Sequence, residues 1–310
     1  MTHDTGFALD QHGRLADKPA LATVLFTAHN RKDMVLRAIE LALQQTIPVH
    51  IIVADDASTD GTQDAVKAAF PGVTYLRTEQ SRGPCHQRNN GLAVATTDIV
   101  FPLDDDSMLV SPQTLAQAMG AFAAADVAIV AMPFQNILQE TRVLQAPDWG
   151  KGVQFFDFVA CAHGLRRAPV VEAGGFFEGY FYMGEETDLA LRMQDRGWRT
   201  VIVDSDPIHH MQPPARRSYR PDFYGRRNDI LFTWLRAPMP GLPWELARAL
   251  VRGLLFGART GRLKAAFHGY RAAVREIFSG RYARQPVKRE VYRALMASRR
   301  RRRAIPAEYG

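Results

Sequence analysis

The chain has only two cysteines in 310 residues, Cys85 and Cys161, too few for a disulfide framework and without metal-ligand spacing. Two free thiols in a reducing, cytoplasmic compartment are the expectation. No apolar run approaches the ~20 residues that a spanning helix needs. The first 18 residues are polar and include Asp4, Asp10 and Asp17, so neither a transmembrane segment nor a secretory leader is expected. Repeats and low-complexity tracts are missing, apart from an arginine run at 299–303. Residues 27–33, just after the first predicted strand, contain no glycine. That speaks against a nucleotidyl-transferring enzyme, which would cradle phosphate there in a glycine-rich, basic loop.

What is present is the composition of an ordinary globular protein, 46% apolar and 23% charged. The length suits one large domain with an appendage. The net charge of +7 is unevenly spread. Residues 236–310 hold 18 Lys and Arg against four Asp and Glu, a net of +14, and residues 1–235 hold 21 against 28, a net of −7. An acidic body with a basic tail places any anionic partner at the tail.

The apolar pattern predicts strands at 22–28, 49–54, 73–76, 99–103 and 127–133, separated by helices at 33–45, 62–70, 86–95 and 112–124. Such alternation implies a doubly wound, mostly parallel α/β sheet. Ligands of such sheets bind beyond the carboxyl ends of the strands. The polar clusters at 27–31, 55–60 and 104–106 all fall at those ends. Further on, a helix is predicted at 186–196, a strand at 199–203, and helices at 244–257, 263–279 and 287–303.

Three consecutive carboxylates, Asp104, Asp105 and Asp106, repel one another and persist cheaply only around a positive charge. A hard cation such as Mg2+ or Mn2+ fits, because it takes carboxylate oxygens and keeps positions open for phosphate. A departing diphosphate needs that neutralisation.

The segments TAHNR (27–31), VADDASTDGT (53–62), RNNGLAVATTDIVFPLDDD (88–106), GGFFEGYFYMGEETDLALRM (174–193) and HH (209–210) occur in this order. In order and spacing they resemble the inverting family 2 glycosyltransferases, over about residues 20–235. The resemblance implies the GT-A fold, a nucleoside diphosphate sugar as donor, a divalent metal, and a saccharide or lipid-linked glycan hydroxyl as acceptor. It implies that Thr27 and His29 contact the base, that Asp56 binds base or ribose, and that Arg88 lies near the nucleotide. Asp104 and Asp106 become the metal-binding outer acids, with Asp105 facing the ribose. His209 matches a later metal-binding histidine, with His210 as the alternative. Glu186 falls on the position of the catalytic base, where many members have Asp, and Asp188 caps, orients or replaces it. His29 stands where the family usually has an aromatic ring, so stacking on a base survives while the hydrogen bonds differ.

Some features have two readings at this stage. The aromatics Phe176, Phe177, Tyr180, Phe181 and Tyr182 suit either a sugar face or a core. The arginine-rich segment 216–228 suits either diphosphate binding or a solvated loop. In the tail, Trp244, Leu246, Leu250, Val251, Leu254, Leu255 and Phe256 with Arg248, Arg252 and Arg259 make a basic amphipathic helix. It suits peripheral attachment to an anionic membrane surface, or packing on the main domain. No nucleic-acid-reading motif accompanies the charge. The expected division is a flexible 1–19, a catalytic domain at 20–235 and a helical extension at 236–310. The rival class is a catalytically silent nucleotide- or glycan-binding module of a polysaccharide assembly complex.

Overall fold

The computed structural model describes residues 19–139, 142–146, 157–213 and 219–304. The polar N-terminus, Arg216 and Arg217, and the side chains of the arginine run beyond Arg299 lie outside the described residues.

Strand β1 (Ala22–Ala28) is buried along its whole length and sits mid-sheet. It pairs in parallel with β2 (Val49–Asp55) on one side and β4 (Ile99–Asp104) on the other. β3 (Thr74–Arg77) extends the sheet beyond β2. On the far side β8 (His163–Arg166) runs antiparallel between β4 and β6 (Val127–Ala131), and β9 (Arg199–Ile202) closes the edge. The order is β3-β2-β1-β4-β8-β6-β9. A second, three-stranded sheet has β10 (Ile208–His210) between β5 (Ser107–Met108) and β7 (Phe134–Asn136).

Because side chains alternate along a strand, β1 feeds two cores. Val24 and Phe26 pack with Val35 and Ile39 of α1 (Lys32–Leu43) and Val66 of α2 (Thr62–Ala69). Leu25 shares the opposite core with Leu92 of α3 (Pro84–Val94) and Leu189 of α6 (Glu185–Asp195). Gly91 on α3 leaves no room for a Cβ, which would collide with Leu25. The expected parallel half, strands and helices alike, is therefore present.

That second core does not stop at residue 235. It takes in Leu231 of α7 (Tyr219–Arg236), Ala249 of α8 (Leu242–Thr260), Tyr270 of α9 (Leu263–Phe278) and Leu295 of α10 (Arg289–Ala304). The boundary expected at 235/236 thus falls on the last residue of α7, and one core runs across it. Helix α7 was not among the expected helices, and its first half is the described part of the arginine-rich segment, so the solvated-loop reading does not hold there. Its buried face includes Arg227, Asn228 and Arg236, and polar residues on the core side blur the apolar repeat.

Helices α7 and α9 meet at Gly269, where a Cβ would lie 2.6 Å from the Phe223 carbonyl oxygen and 3.0 Å from the Arg227 nitrogen. Backbone cannot yield as a flexible side chain can. Gly269→Ala is expected to cost about 1–3 kcal/mol in urea unfolding through overpacking. Gly120→Ala, with nothing within 4 Å of the added carbon and a helical backbone, should be neutral or slightly stabilising. Equal stability of the two variants would mean that α9 does not approach α7 this closely.

Candidate active site

The carboxyl ends of β1, β2 and β4 open onto a cavity of about 550 Å³. Thr27, His29, Asp56, Arg88, Asp104, Asp105 and Asp106 line it from the sheet side. Glu185 and Glu186 at the start of α6, Arg220 on α7 and His210 on β10 face them. Of the residues expected at the site, His209 and Asp188 are absent from the lining.

The histidine pair is resolved by strand geometry. His210 stands opposite Ser107 and His209 opposite Met108, and adjacent strand residues face opposite sides. His210 Nε2 lies 3.3 Å from Asp106 Oδ1, while its Nδ1 lies 2.8 Å from Asn136 Oδ1. Asp104, Asp106 and His210 offer ligand atoms all within 4.8 Å of one another. Two carboxylates and one imidazole suit Mn2+ or Mg2+, and a partner on the other ring nitrogen is the usual support of a metal-binding histidine. His210, not His209, completes the group, and Asn136 supports it.

The positive charge that three carboxylates require is supplied here by Arg31, which the sequence reading did not single out. Its guanidinium lies 3.1 Å from Asp105 Oδ1 and bonds Asp106 as well, with the side chain 43% exposed. Burial alone would raise the Asp106 carboxyl, but His210 and Arg31 outweigh it and hold it below the usual range. Asp105 is different. Burial pushes it up to about 7 despite the Arg31 charge, and Asp106 beside it adds to the rise. The His29 amide donates to Asp105 Oδ2 at 3.2 Å.

Arg88 is 2% exposed and bridges the cavity. It donates to Asp104 Oδ1 at 2.7 Å and to Glu185 Oε1 at 2.9 Å. Asp56 is occupied by the connection from β3 to α3 and by α3 itself, accepting from Ser81 Oγ, the amides of Arg82 and Gly83, and Gln87 Nε2 at 2.6–3.2 Å. The His29 ring is held by the Asp56 carbonyl, 2.7 Å from Nδ1.

Helix α6 begins after a tight segment with Phe181 at φ 63°, Met183 at φ 72° and Gly184 at φ 89°. Left-handed backbone at non-glycine residues is costly and needs support from outside. Asn228 of α7 supplies it, its Nδ2 lying 2.7–3.1 Å from the carbonyls of Tyr180, Tyr182 and Met183. The expected aromatic group divides: Phe176 and Tyr180 are core, and Tyr182 lines the cavity.

The three acids in the first turn of α6 have different surroundings. Glu185 is paired with Arg88. Asp188 is fully buried and bonded by Arg192 Nε at 2.7 Å, Arg236 Nε at 2.6 Å and Tyr180 Oη at 3.0 Å. Burial would raise its carboxyl, but the two arginines more than offset that and hold it low. It is an anchor between α6 and α7, out of reach of the cavity. No ion-pair partner for Glu186 is found among the described residues. Burial, and next the charge of Glu185, push its carboxyl well above the ordinary glutamate range.

This sheet, with its acidic strand ends, is the GT-A fold of glycosyltransferases. A mannosyltransferase, PcManGT, of Pyrobaculum calidifontis, solved with GDP-Man and Mn2+, superposes with a TM-score of 0.57 at 21% identity, over 84% of this chain and 81% of that one. Residues 1–349 of S. aureus TarS with UDP-GlcNAc give 0.53 at 15% identity, over 85% and 93%. Residues 23–171, just under half of the chain, match the profile of glycosyl transferase family 2. Among sequence relatives, the succinoglycan biosynthesis protein ExoU of Rhizobium meliloti is 24% identical over 210 residues, 61% of each chain. The N-acetylglucosaminyl-diphospho-decaprenol L-rhamnosyltransferase of Mycobacterium tuberculosis is 24% identical over 306 residues, 81% of this chain and 98% of its own length. The chain spans 61% of ExoU and 34% of ExoO, a second succinoglycan biosynthesis protein, less than two thirds of either.

The two histidines can be told apart directly. In Mn2+ titrations His210→Ala should lose about ten-fold or more in affinity, as when a metal centre loses a ligand or its support. His209→Ala should stay close to the parent. The reverse order would return the ligand to His209.

Proposed function

We propose that the protein is an inverting glycosyltransferase that moves a sugar from a nucleoside diphosphate sugar to a hydroxyl of a saccharide or lipid-linked glycan, with a divalent metal. The observation that carries this is one cavity with a carboxylate–histidine cation group on one wall and, on the other, a carboxylate, Glu186, that has no ion-pair partner among the described residues and is held well above the ordinary glutamate range. Mannosyl, rhamnosyl and N-acetylglucosamine-carrying substrates in the names of the similar proteins support the class and leave the sugar open.

A cation held by Asp104, Asp106 and His210 would neutralise the diphosphate as it leaves. In this reading Thr27 and His29 at the end of β1 would contact the base, Asp56 would hold the loop beside it, and Asp105 would face the ribose. Arg31 lies against the acids and is exposed enough to move, so it can exchange its carboxylate partners for diphosphate oxygens, which a guanidinium binds in a bidentate manner. Inversion requires a base that takes the acceptor's proton during attack from the opposite face. Glu186 suits this because its raised pKa brings it nearer neutral pH, where a general base works best. Glu185 is instead held by Arg88, and Asp188 is held by Arg192 and Arg236 away from the cavity lining.

Two measurements test the base. Glu186→Gln should keep nucleotide binding and lose at least ~100-fold in kcat. A base must be deprotonated to act, so activity should fall as pH drops through the raised pKa of Glu186. The acid limb of kcat/KM should therefore lie well above the ordinary glutamate value of about 4.3. Asp188→Asn should instead lower thermal stability. A Glu186→Gln enzyme with parental turnover would remove Glu186 from the base position.

A further inference from the structure

Helices α8 and α9 form an antiparallel hairpin, with Gly257 against Leu263 and Tyr270 Oη donating to the Leu250 carbonyl at 3.2 Å. The small residues point inward: Ala249, Gly253 and Gly257 on α8, and Ala266, Gly269 and Ala273 on α9, are all buried. The outward faces are not polar. On α8, Trp244, Val251, Leu255 and Phe256 are 67, 54, 53 and 41% exposed. On α9, Leu263, Phe267, Val274 and Phe278 are 48, 64, 47 and 87% exposed. Positions 244, 251 and 255 and positions 263, 267, 274 and 278 follow the helical repeat, so these are stripes and not scattered side chains. An apolar surface of this extent marks something that covers it.

Basic residues frame both stripes. Arg248, Arg252 and Arg259 border a groove of about 610 Å³ along α8. Lys264, Arg271 and Arg275 interleave the stripe on α9. The carboxylates of the hairpin are engaged: Glu245 with Arg248, and Glu276 with Arg227. Arg252 is paired with Asp229 as well, while Arg259, Lys264, Arg271 and Arg275 have no ion-pair partner among the described residues, so the face combines apolar bulk with a surplus of positive charge.

We propose that the α8–α9 hairpin docks the protein on an anionic lipid bilayer, lying in the plane of the interface with its aromatic and aliphatic stripes among the acyl chains. No helix among the described residues is long and apolar enough to cross a membrane. Charge selects lipid over a second copy. Two-fold pairing of this face would oppose Arg259, Lys264, Arg271 and Arg275 with their own copies, and the nearby carboxylates Glu245 and Asp229 are already engaged by Arg248 and Arg252. Phosphate headgroups supply the missing negative charge.

The hairpin also adjoins the cavity through the first turns of α7. Arg220 and Pro221 line the cavity. Their neighbours hold the hairpin: Tyr219 Oη to His268 Nδ1 at 2.5 Å, Asp222 to Arg262 at 2.9 Å, and Arg226 over the Phe256 ring at 5.3 Å. A hydroxyl carried on a lipid would thus arrive beside the cavity mouth. That route deepens the lipid-linked acceptor reading and rests on it, whereas the docking itself does not.

The test is co-sedimentation of the full chain with vesicles of phosphatidylglycerol and phosphatidylcholine, and with phosphatidylcholine alone, at low and high salt. Binding is expected to the anionic vesicles and to weaken as salt rises. The double variants Val251→Glu/Leu255→Glu and Phe267→Glu/Phe278→Glu should each lower the bound fraction about ten-fold or more. These positions are exposed, so the melting temperature and its rise with nucleoside diphosphate and Mn2+ should be unchanged. That rise keeps a failure of docking separate from a failure of the transferase assignment. Absence of anionic-vesicle binding at low salt, or equal binding by the Glu variants, overturns the proposal. So does a concentration-dependent dimer, lost in the same variants, in a protein that ignores vesicles.

Discussion

The site depends on one buried guanidinium. Arg88 reaches from α3 to the end of β4 through Asp104 and to the start of α6 through Glu185. A charge this thoroughly desolvated is tolerable only with both partners in place. Losing one partner of such a group typically costs about 3–5 kcal/mol. The constraint fixes the distance between the two walls of the cavity, and so between the acids that suit a metal and the acid that suits a proton. Arg31 has the complementary role. It is exposed enough to leave, so the carboxylates it covers are neutralised without being locked.

Around that bridge α6 divides its acids by environment. Glu185 is paired with Arg88, Asp188 is locked between Arg192 and Arg236, and Glu186, half-buried and without an ion-pair partner among the described residues, is held high by desolvation and by the charge of Glu185. Adjacent carboxylates with opposed surroundings are how one short helix can supply both structure and proton chemistry. The strained turn before it, clamped by Asn228, means that α7 positions the helix start although α7 lies far along the chain.

The parallel half of the fold was legible because strong apolar runs and breakers agree over residues 22–131. The second half was less so. β8 is four residues with no period, β5 and β7 are shorter still, and α7 hides its buried face behind arginines that find carboxylates only in the folded state. At the site, residue types were readable and geometry was not. Nothing in two adjacent histidines tells which one faces the acids until the register with Ser107 and Asn136 is known. Asn136 itself leaves no sequence signal. Arg31 did leave one: three acids need a cation, and a basic residue ends the first polar cluster. The tail's two readings were posed as rivals, yet α8 and α9 pack through their small residues and expose their large ones. Packing is therefore no argument against a second role.

The most direct test is a thermal melt of the parent protein with UDP, GDP or dTDP, each with and without Mn2+. A ligand at a hundred times its dissociation constant adds about 2.7 kcal/mol to stability, a shift of several degrees for a protein of this size. One nucleotide should raise the melting temperature strongly with Mn2+ and weakly without it, and Asp106→Ala should abolish the difference. If no nucleotide acts, or if the metal makes no difference to any of them, the cavity is not a metal–nucleotide site and the transferase assignment fails with it.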